Sequence, residues 1–209
     1  MDTLAAMNDR PPRLYLDHNA TSPLRPSARA AMERLAAVDF GNPSSVHLEG
    51  RAARNLLERA REAVALALGA APTELILTSS ATESNNMAVK GAAWAMAQQG
   101  RPCLAVSAIE HPSVFAPADW ISRVRGGEAL RTLPVDSDGL VSPAELDDLL
   151  DDQCGLVSVI AANNETGALA PIEALAEVAH AHGALLHVDA SQALGRIPVN
   201  VTEWGADLL

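Results

Sequence analysis

The stretch Ala184-Leu185-Leu186-His187-Val188-Asp189-Ala190-Ser191-Gln192, residues 184–192, decides how the rest of the chain is read. An apolar run long enough for one buried strand, Ala184 to Val188, is followed at once by a carboxylate and then an amide. Such runs belong to parallel sheets covered on both faces. A carboxylate at the exit costs free energy to desolvate unless a cation or hydrogen-bond donors meet it. Upstream the pattern repeats, with strands read at Leu75 to Thr78, Cys103 to Ser107, near Ala129 to Pro134, and Leu156 to Ala161. Helix-sized segments separate them: Thr82 to Gln98, Pro112 to Arg125, Pro143 to Leu150 and Ile172 to His182. Strands alternating with helices imply right-handed crossovers and an α/β fold, a mainly parallel sheet with helices on both faces. Ligands on such sheets sit outside the carboxyl ends of the strands.

Before this region, Pro26 to Val38 reads as a helix with Met32 and Leu35 on its apolar face, and Phe40 to Val46 as a loop built on Gly-Asn-Pro-Ser-Ser. From Leu48 to Leu68 a long amphipathic helix repeats Leu48, Ala52, Leu56, Ala60 and Val64, ending at Gly69. The chain is divided into an N-terminal segment, 1–25, and a large domain, 26–209, whose last residues, Gly205 to Leu209, look like the opening of another strand.

With 209 residues, 48% of them hydrophobic and only 3% aromatic, the chain can fill a core with Leu, Val, Ile and Ala. A net charge of -11 and the lack of a basic stripe argue against nucleic acid. No secretion signal and no bilayer-length apolar run is present, so a cytoplasmic protein with no membrane partner is expected. Cys103 and Cys154 lack metal-site spacing and read as ordinary thiols.

Four strand exits carry chemistry. Ser79-Ser80-Ala81-Thr82-Glu83 leads straight into a helix, where N–H groups, hydroxyls and the helix dipole favour a phosphate; taken alone, these residues read more readily as a plain capping box, Ser80 with Glu83. Glu110-His111 places a ring able to stack on a flat ligand or move protons near neutral pH. Asn163-Asn164-Glu165-Thr166-Gly167 offers two amides and an acid at the third exit, or simply a turn. Asp189 and Gln192 stand at the fourth. A metal on His187, Asp189 and one of His180 or His182 is a weak alternative, because two residues of spacing turn those histidines in different directions. A phosphate cup, a stacking histidine, an amide and a carboxylate on one sheet rim match the needs of pyridoxal 5'-phosphate, whose ring nitrogen Asp189 would keep protonated.

On these residues the chain resembles the cysteine desulfurases among the fold-type I pyridoxal-phosphate enzymes. The matching segments are Tyr15 to Thr21, Phe40 to Ser45, Thr78 to Asn86, Glu110-His111, Ala162 to Gly167 and His187 to Gln192, in order over nearly the whole chain. The resemblance implies that Ala81 and Thr82 hold the phosphate, that His111 stacks on the pyridine and helps move protons, and that Asn164 contacts cofactor or substrate. It implies that Asp189 pairs with the ring nitrogen and Gln192 with the ring hydroxyl. It further implies a homodimer that takes L-cysteine to alanine, with the sulfur leaving as a persulfide on an enzyme cysteine for iron–sulfur cluster assembly or another sulfur-acceptor protein.

The likeness reaches only the first half of that family's length. The lysine that binds the cofactor covalently is expected just beyond Leu209, and the persulfide cysteine further on. Lys90, the sole lysine, lies inside the helix after the phosphate cup. The chain is therefore expected to be a partial large domain, inactive by itself, with unpaired strand edges. Related pyridoxal-phosphate lyases and aminotransferases share the cradle. A non-catalytic fragment that needs a complementary half is the alternative of another class.

Overall fold

The computed structural model describes residues 14–38 and 40–209, and the polar leader before residue 14 lies outside them. Two compact units divide the chain, Met1–Ala53 and Arg54–Leu209. In the first, helix α1 (Pro26–Val38) is followed by the Gly-Asn-Pro-Ser-Ser turn, closed by Asn42 Oδ1 accepting from the Ser44 N–H at 2.9 Å. Met32 and Leu35 of α1 remain exposed.

Helix α2 (Leu48–Leu68) forms over the expected span, but the stripe it buries differs from the predicted one. Ala65 and Leu68 are buried, whereas Leu48 and Val64 are exposed. A strict spacing of four residues walks about 40° around a 3.6-residue helix at each step, so the predicted row drifts off the buried side.

The second unit is built on a four-stranded parallel sheet, β1 (Cys103–Ser107), β2 (Leu130–Leu133), β3 (Cys154–Ile160) and β4 (Leu185–Asp189), in the order β2-β1-β3-β4. The fold is α/β, as the alternation implied. Side chains alternate between its faces, as a pleated strand requires. Leu104, Val106 and Leu156 pack against α3 (Ala81–Gln98) and α4 (Pro112–Val124). Ala105, Val157, Val159, Leu186 and Val188 pack against α5 (Pro143–Leu149) and α6 (Ile172–Ala181). Gly155 in β3 sits where an added Cβ would lie 2.5 Å from Met96 Cβ of α3, so only glycine allows that approach. The short helix α7 (Val201–Trp204) follows β4.

Residues 207–208 extend the sheet beyond β4: Val188 N–H donates to Leu208 O at 2.9 Å and Asp207 N–H to Leu186 O at 3.0 Å. The opening strand read at Gly205 to Leu209 thus begins here. The strand expected at Leu75 to Thr78 does not form; that segment follows a 3-10 turn (Pro72–Glu74) without a partner strand, Leu75 O accepting instead from the Arg61 guanidinium. An open groove of about 630 Å³ lined by Leu75, Ile76, Met87, Gly91, Leu208 and Leu209 lies there instead. No helix among the described residues is long and apolar enough to cross a membrane.

Chain direction sets where a ligand can lie. From β1 the chain passes through α4, on one face, to β2; from β3 it passes through α6, on the other face, to β4. The loops after β1 and β3 therefore diverge to opposite faces and leave a crevice at the carboxyl ends, the switch point of an open α/β sheet.

Candidate functional site

Asp189 ends β4 and is buried on the α3/α4 face. Its Oδ2 accepts from Asn85 Nδ2 at 2.8 Å, and its Oδ1 from the Ser191 N–H at 2.9 Å. Both donors are neutral, and no ion pair among the described residues involves this carboxylate. Asn85 belongs to the inward stripe of α3 with Val89, Ala92, Ala93 and Met96. Its second amide hydrogen goes to Ser113 Oγ at 2.9 Å, leaving the serine hydroxyl hydrogen for His111 Nδ1 at 2.7 Å.

His111 is the N-cap of α4, its Nδ1 also accepting from the Ser113 N–H at 3.1 Å. With both neighbours donating, Nδ1 is an acceptor and the ring proton sits on Nε2. Asn85, Ser113 and the histidine thus form one relay from Asp189 to the exposed start of α4. Asn85 stands about 4.5 Å along the helix axis from Thr82, so the same helix that orients the carboxylate presents its first turn to the rim.

Ala81 and Thr82 occupy that first turn, where N–H groups have no intrahelical acceptor. Ser80 is the N-cap, accepting from the Glu83 N–H at 3.2 Å. The reciprocal half of the capping box is absent. Glu83 turns instead to Ser79, taking its N–H at 2.8 Å and its hydroxyl at 2.5 Å, and these bonds hold the Glu83 carboxyl below its ordinary range.

Asn164 is half-buried in the loop after β3, but Asn163 organises that loop. Asn163 Oδ1 accepts from the N–H groups of Glu165 and Thr166 at 2.9 Å each, and its Nδ2 donates to Ile109 O at 3.2 Å, tying the β1 and β3 exits together across the switch point. Gln192, also half-buried, accepts at Oε1 from the Arg196 guanidinium.

His187 lies on the same face as Asp189, fully buried, with Nδ1 on Ser158 Oγ at 2.7 Å and Nε2 unpartnered. Burial pulls this imidazole down to about 4, against the opposing influence of Asp189, so it is neutral near pH 7. His180 and His182 face Asp207 and Asp147, at 2.9 and 2.7 Å, and share no metal site with His187. Among the described residues no cluster of His, Cys, Asp or Glu could hold a metal ion.

Glu110, beside His111, has both carboxyl oxygens buried and without hydrogen-bond partners. Burial first, and the charge of Asp189 second, push this carboxyl up to about 8. Asn85, Ser113, Ser158 and Glu110 carry no role in the sequence reading. A polar residue at an inward helical position, as Asn85 is between the start of α3 and Val89, is the signal that would have found the first.

Residues 14–209 match the Aminotransferase class-V family. Similar curated proteins include the cysteine desulfurase IscS of Dictyoglomus turgidum, 43% identical over 196 residues, which are 94% of this chain and 49% of the relative. Another is the IscS-like cysteine desulfurase of Mycobacterium tuberculosis, 43% identical over 192 residues, 89% of this chain and 48% of the relative. Among solved structures, a NifS-like protein matches with a TM-score of 0.87 at 36% identity, over 93% of this chain and 53% of the other. SspA, solved in complex with cysteine, matches at 0.85 and 31% identity, over 92% and 55%. The chain spans about half the length of the curated relatives it matches. A family match over residues 14–209, with a fold and a run of sequence shared with these proteins, makes the chain a member of the class-V aminotransferase family, with cysteine desulfurases as its relatives.

Proposed function

We propose that this chain supplies the cofactor cradle of a pyridoxal-phosphate-dependent cysteine desulfurase. The observation that carries the reading is the buried Asp189 carboxylate, held by two neutral donors, with the nearest histidine on its face kept neutral. A buried anion without a protein cation is expensive, and a protonated ring nitrogen supplies the missing charge. The residues present fit that group, because the same helix that orients Asp189 through Asn85 offers the first-turn N–H groups of Ala81 and Thr82 to a phosphate.

When bound, pyridoxal phosphate supplies the electron sink for a carbanion beside the substrate nitrogen. The chain's own residues do the rest. Asp189 holds the ring-nitrogen proton, and Asn85 fixes its carboxylate plane. His111, whose Nδ1 is occupied by Ser113, would lie against the ring and offer Nε2 for exchanging a proton with substrate. Asn164 and Gln192 contribute amide hydrogen bonds to substrate or ring oxygen.

The substrate in this reading is L-cysteine, and its sulfur passes to an enzyme thiol and then to an acceptor protein, in a homodimer. Cys154 does not serve as that thiol: it is buried in the core, and burial pushes it up to about 11. Cys103 lies at the opposite, amino end of its strand from the rim. Lys90 does not serve as the covalent lysine: its Nζ bonds Asn86 Oδ1 at 2.7 Å and lies 5.4 Å from the Trp120 ring centre.

The test is binding of pyridoxal phosphate to the full-length protein, followed by its absorption spectrum, with alanine and sulfide measured after adding L-cysteine. Asp189→Asn is expected to abolish turnover and weaken cofactor binding. Equal binding and turnover in the variant would refute the reading.

A further inference from the structure

Glu110 is the buried titratable group that the proposed reaction leaves without a task. It follows β1 at the switch point, both of its carboxyl oxygens are shielded from water, neither has a hydrogen-bond partner of good geometry, and the Ile160 backbone exerts only the weakest of the influences on it. An ionised carboxylate in such a place would be unsolvated, Asp189 adds a like charge at the same rim, and the Ile160 backbone opposes both only weakly.

Among the described residues no ion pair reaches it. β4 contributes Asp189, and His187 on the same strand is neutral. The loop after β3 contributes Asn163, engaged with Ile109 O. Helix α4 contributes His111, whose Nδ1 accepts from Ser113, and α3 contributes the uncharged Asn85. Glu110 and Asp189 are the two buried carboxyl groups here, and one relay of neutral donors adjoins them.

We propose that Glu110 is the proton-holding partner of Asp189: it keeps its proton while Asp189 faces no cation and releases it to solvent when a protonated ring nitrogen settles against Asp189. This inference rests on the proposed cofactor reading. The balance is simple. In the empty rim one carboxylate and one carboxylic acid give a single negative charge. A docked cation cancels the Asp189 charge, which removes the repulsion that helped hold the Glu110 proton, and one O–H bond breaks with its proton going to buffer. Docking and ionisation are thereby coupled, and Glu110 becomes a positioning residue that sets how cofactor affinity depends on pH. The like charge is the smaller of its two causes, so the midpoint falls without reaching that of an exposed glutamate.

The experiment is infrared difference spectroscopy of the full-length protein, following the carbonyl stretch of buried carboxylic acids as pH is raised. Wild type should show one such band titrating near pH 8, absent from Glu110→Gln, which preserves shape and removes the proton. Asp189→Asn should keep the band and lower its midpoint, because burial remains and the like charge is gone. Pyridoxal phosphate should lower the midpoint in wild type, while inorganic phosphate, which brings no ring cation, should leave it in place. A band that survives Glu110→Gln, or that Asp189→Asn does not move, overturns the proposal. If pyridoxal phosphate binds, by its absorption spectrum, yet leaves the midpoint unchanged, the coupling is wrong and the cofactor reading stands. If it does not bind at all, both fail.

Discussion

The state of His187 decides whether Asp189 already owns a cation, and it can be tested by stability alone. The imidazole lies two residues before Asp189 on the same strand face, and a charged His187 would compete with any ligand for that carboxylate. Burial sets its folded pKa at about 4 against an ordinary 6.5. The unfolded chain therefore takes up the proton first as pH falls. The stability contributed by keeping this ring neutral is complete above about 6.5, declines through the interval, and is gone at about 4. At roughly 1.36 kcal/mol per pH unit the interval amounts to about 3 kcal/mol. Replacing both members of the buried pair, Ser158→Ala with His187→Leu, removes the titration without stranding a polar partner, and is near neutral in stability at pH 7. Urea unfolding at intervals from neutral pH to about 4 gives the two curves, and their difference isolates His187 from the exposed carboxylates. Wild type should lose about 3 kcal/mol relative to the double variant. Parallel curves would mean that His187 protonates as readily folded as unfolded and would refute the reasoning, and a wild type that gains on acidification would mean that Asp189 holds His187 as its counter-ion.

Four other measurements bear on the site and the frame beneath it. Glu110→Gln should remove a loss of stability on the alkaline side: a raised acid contributes fully below about 4.5 and loses that contribution as pH rises through about 8, about 5 kcal/mol at ~1.36 per pH unit, read by urea unfolding near pH 9. Asn85→Ala strips Asp189 Oδ2 of its donor and should cost about 1.5–3 kcal/mol in chemical denaturation, with weaker pyridoxal phosphate binding. Gly155→Ala drives a methyl to within 2.5 Å of Met96 Cβ and 2.6 Å of Arg101 O, and should lower stability by about 1–3 kcal/mol; an unchanged melting curve would show that β3 and α3 have room to part. Ser80→Ala removes the cap of α3 and should cost about 1 kcal/mol, seen as a lower midpoint of thermal unfolding.

Most of the second unit was legible because its signals are local. Apolar runs, helix-starting prolines and terminal glycines put β1, β3, β4, α4 and α6 within a residue or two of their places, and the strand-exit rule drew attention to Asp189 and His111. What escaped is what depends on distant partners. Leu75 to Thr78 has the composition of a strand, but a strand exists only against a neighbour, and a groove lies where one would be. Asn85 reads as an unremarkable helix residue until a carboxylate 104 positions away closes on it. Glu110 was quoted beside His111 and given no role, because one sequence cannot say that both of its oxygens end up dry.

The two faces of the sheet differ in a way that follows from the site. Against α5 and α6 the strands present Ala105, Val157, Val159, Leu186 and Val188, an apolar layer that serves only stability. Against α3 and α4 the same strands alternate to Ser158, His187 and Asp189, and the helices answer with Asn85 and Ser113. Each of these polar groups must be matched by a hydrogen bond to recover what burial costs, so an apolar residue of similar size would do more for the fold at any one of them. Their concentration behind a single rim, on the helix whose first turn also faces that rim, makes this half of the core a support for the orientation of one carboxylate. Close packing below Asp189 and neutral donors beside it leave its charge, like the unpartnered Glu110 oxygens and His187 Nε2, a demand that the described part of the chain does not meet from within, and a charge so fixed is the condition under which a cationic ring binds in a fixed pose.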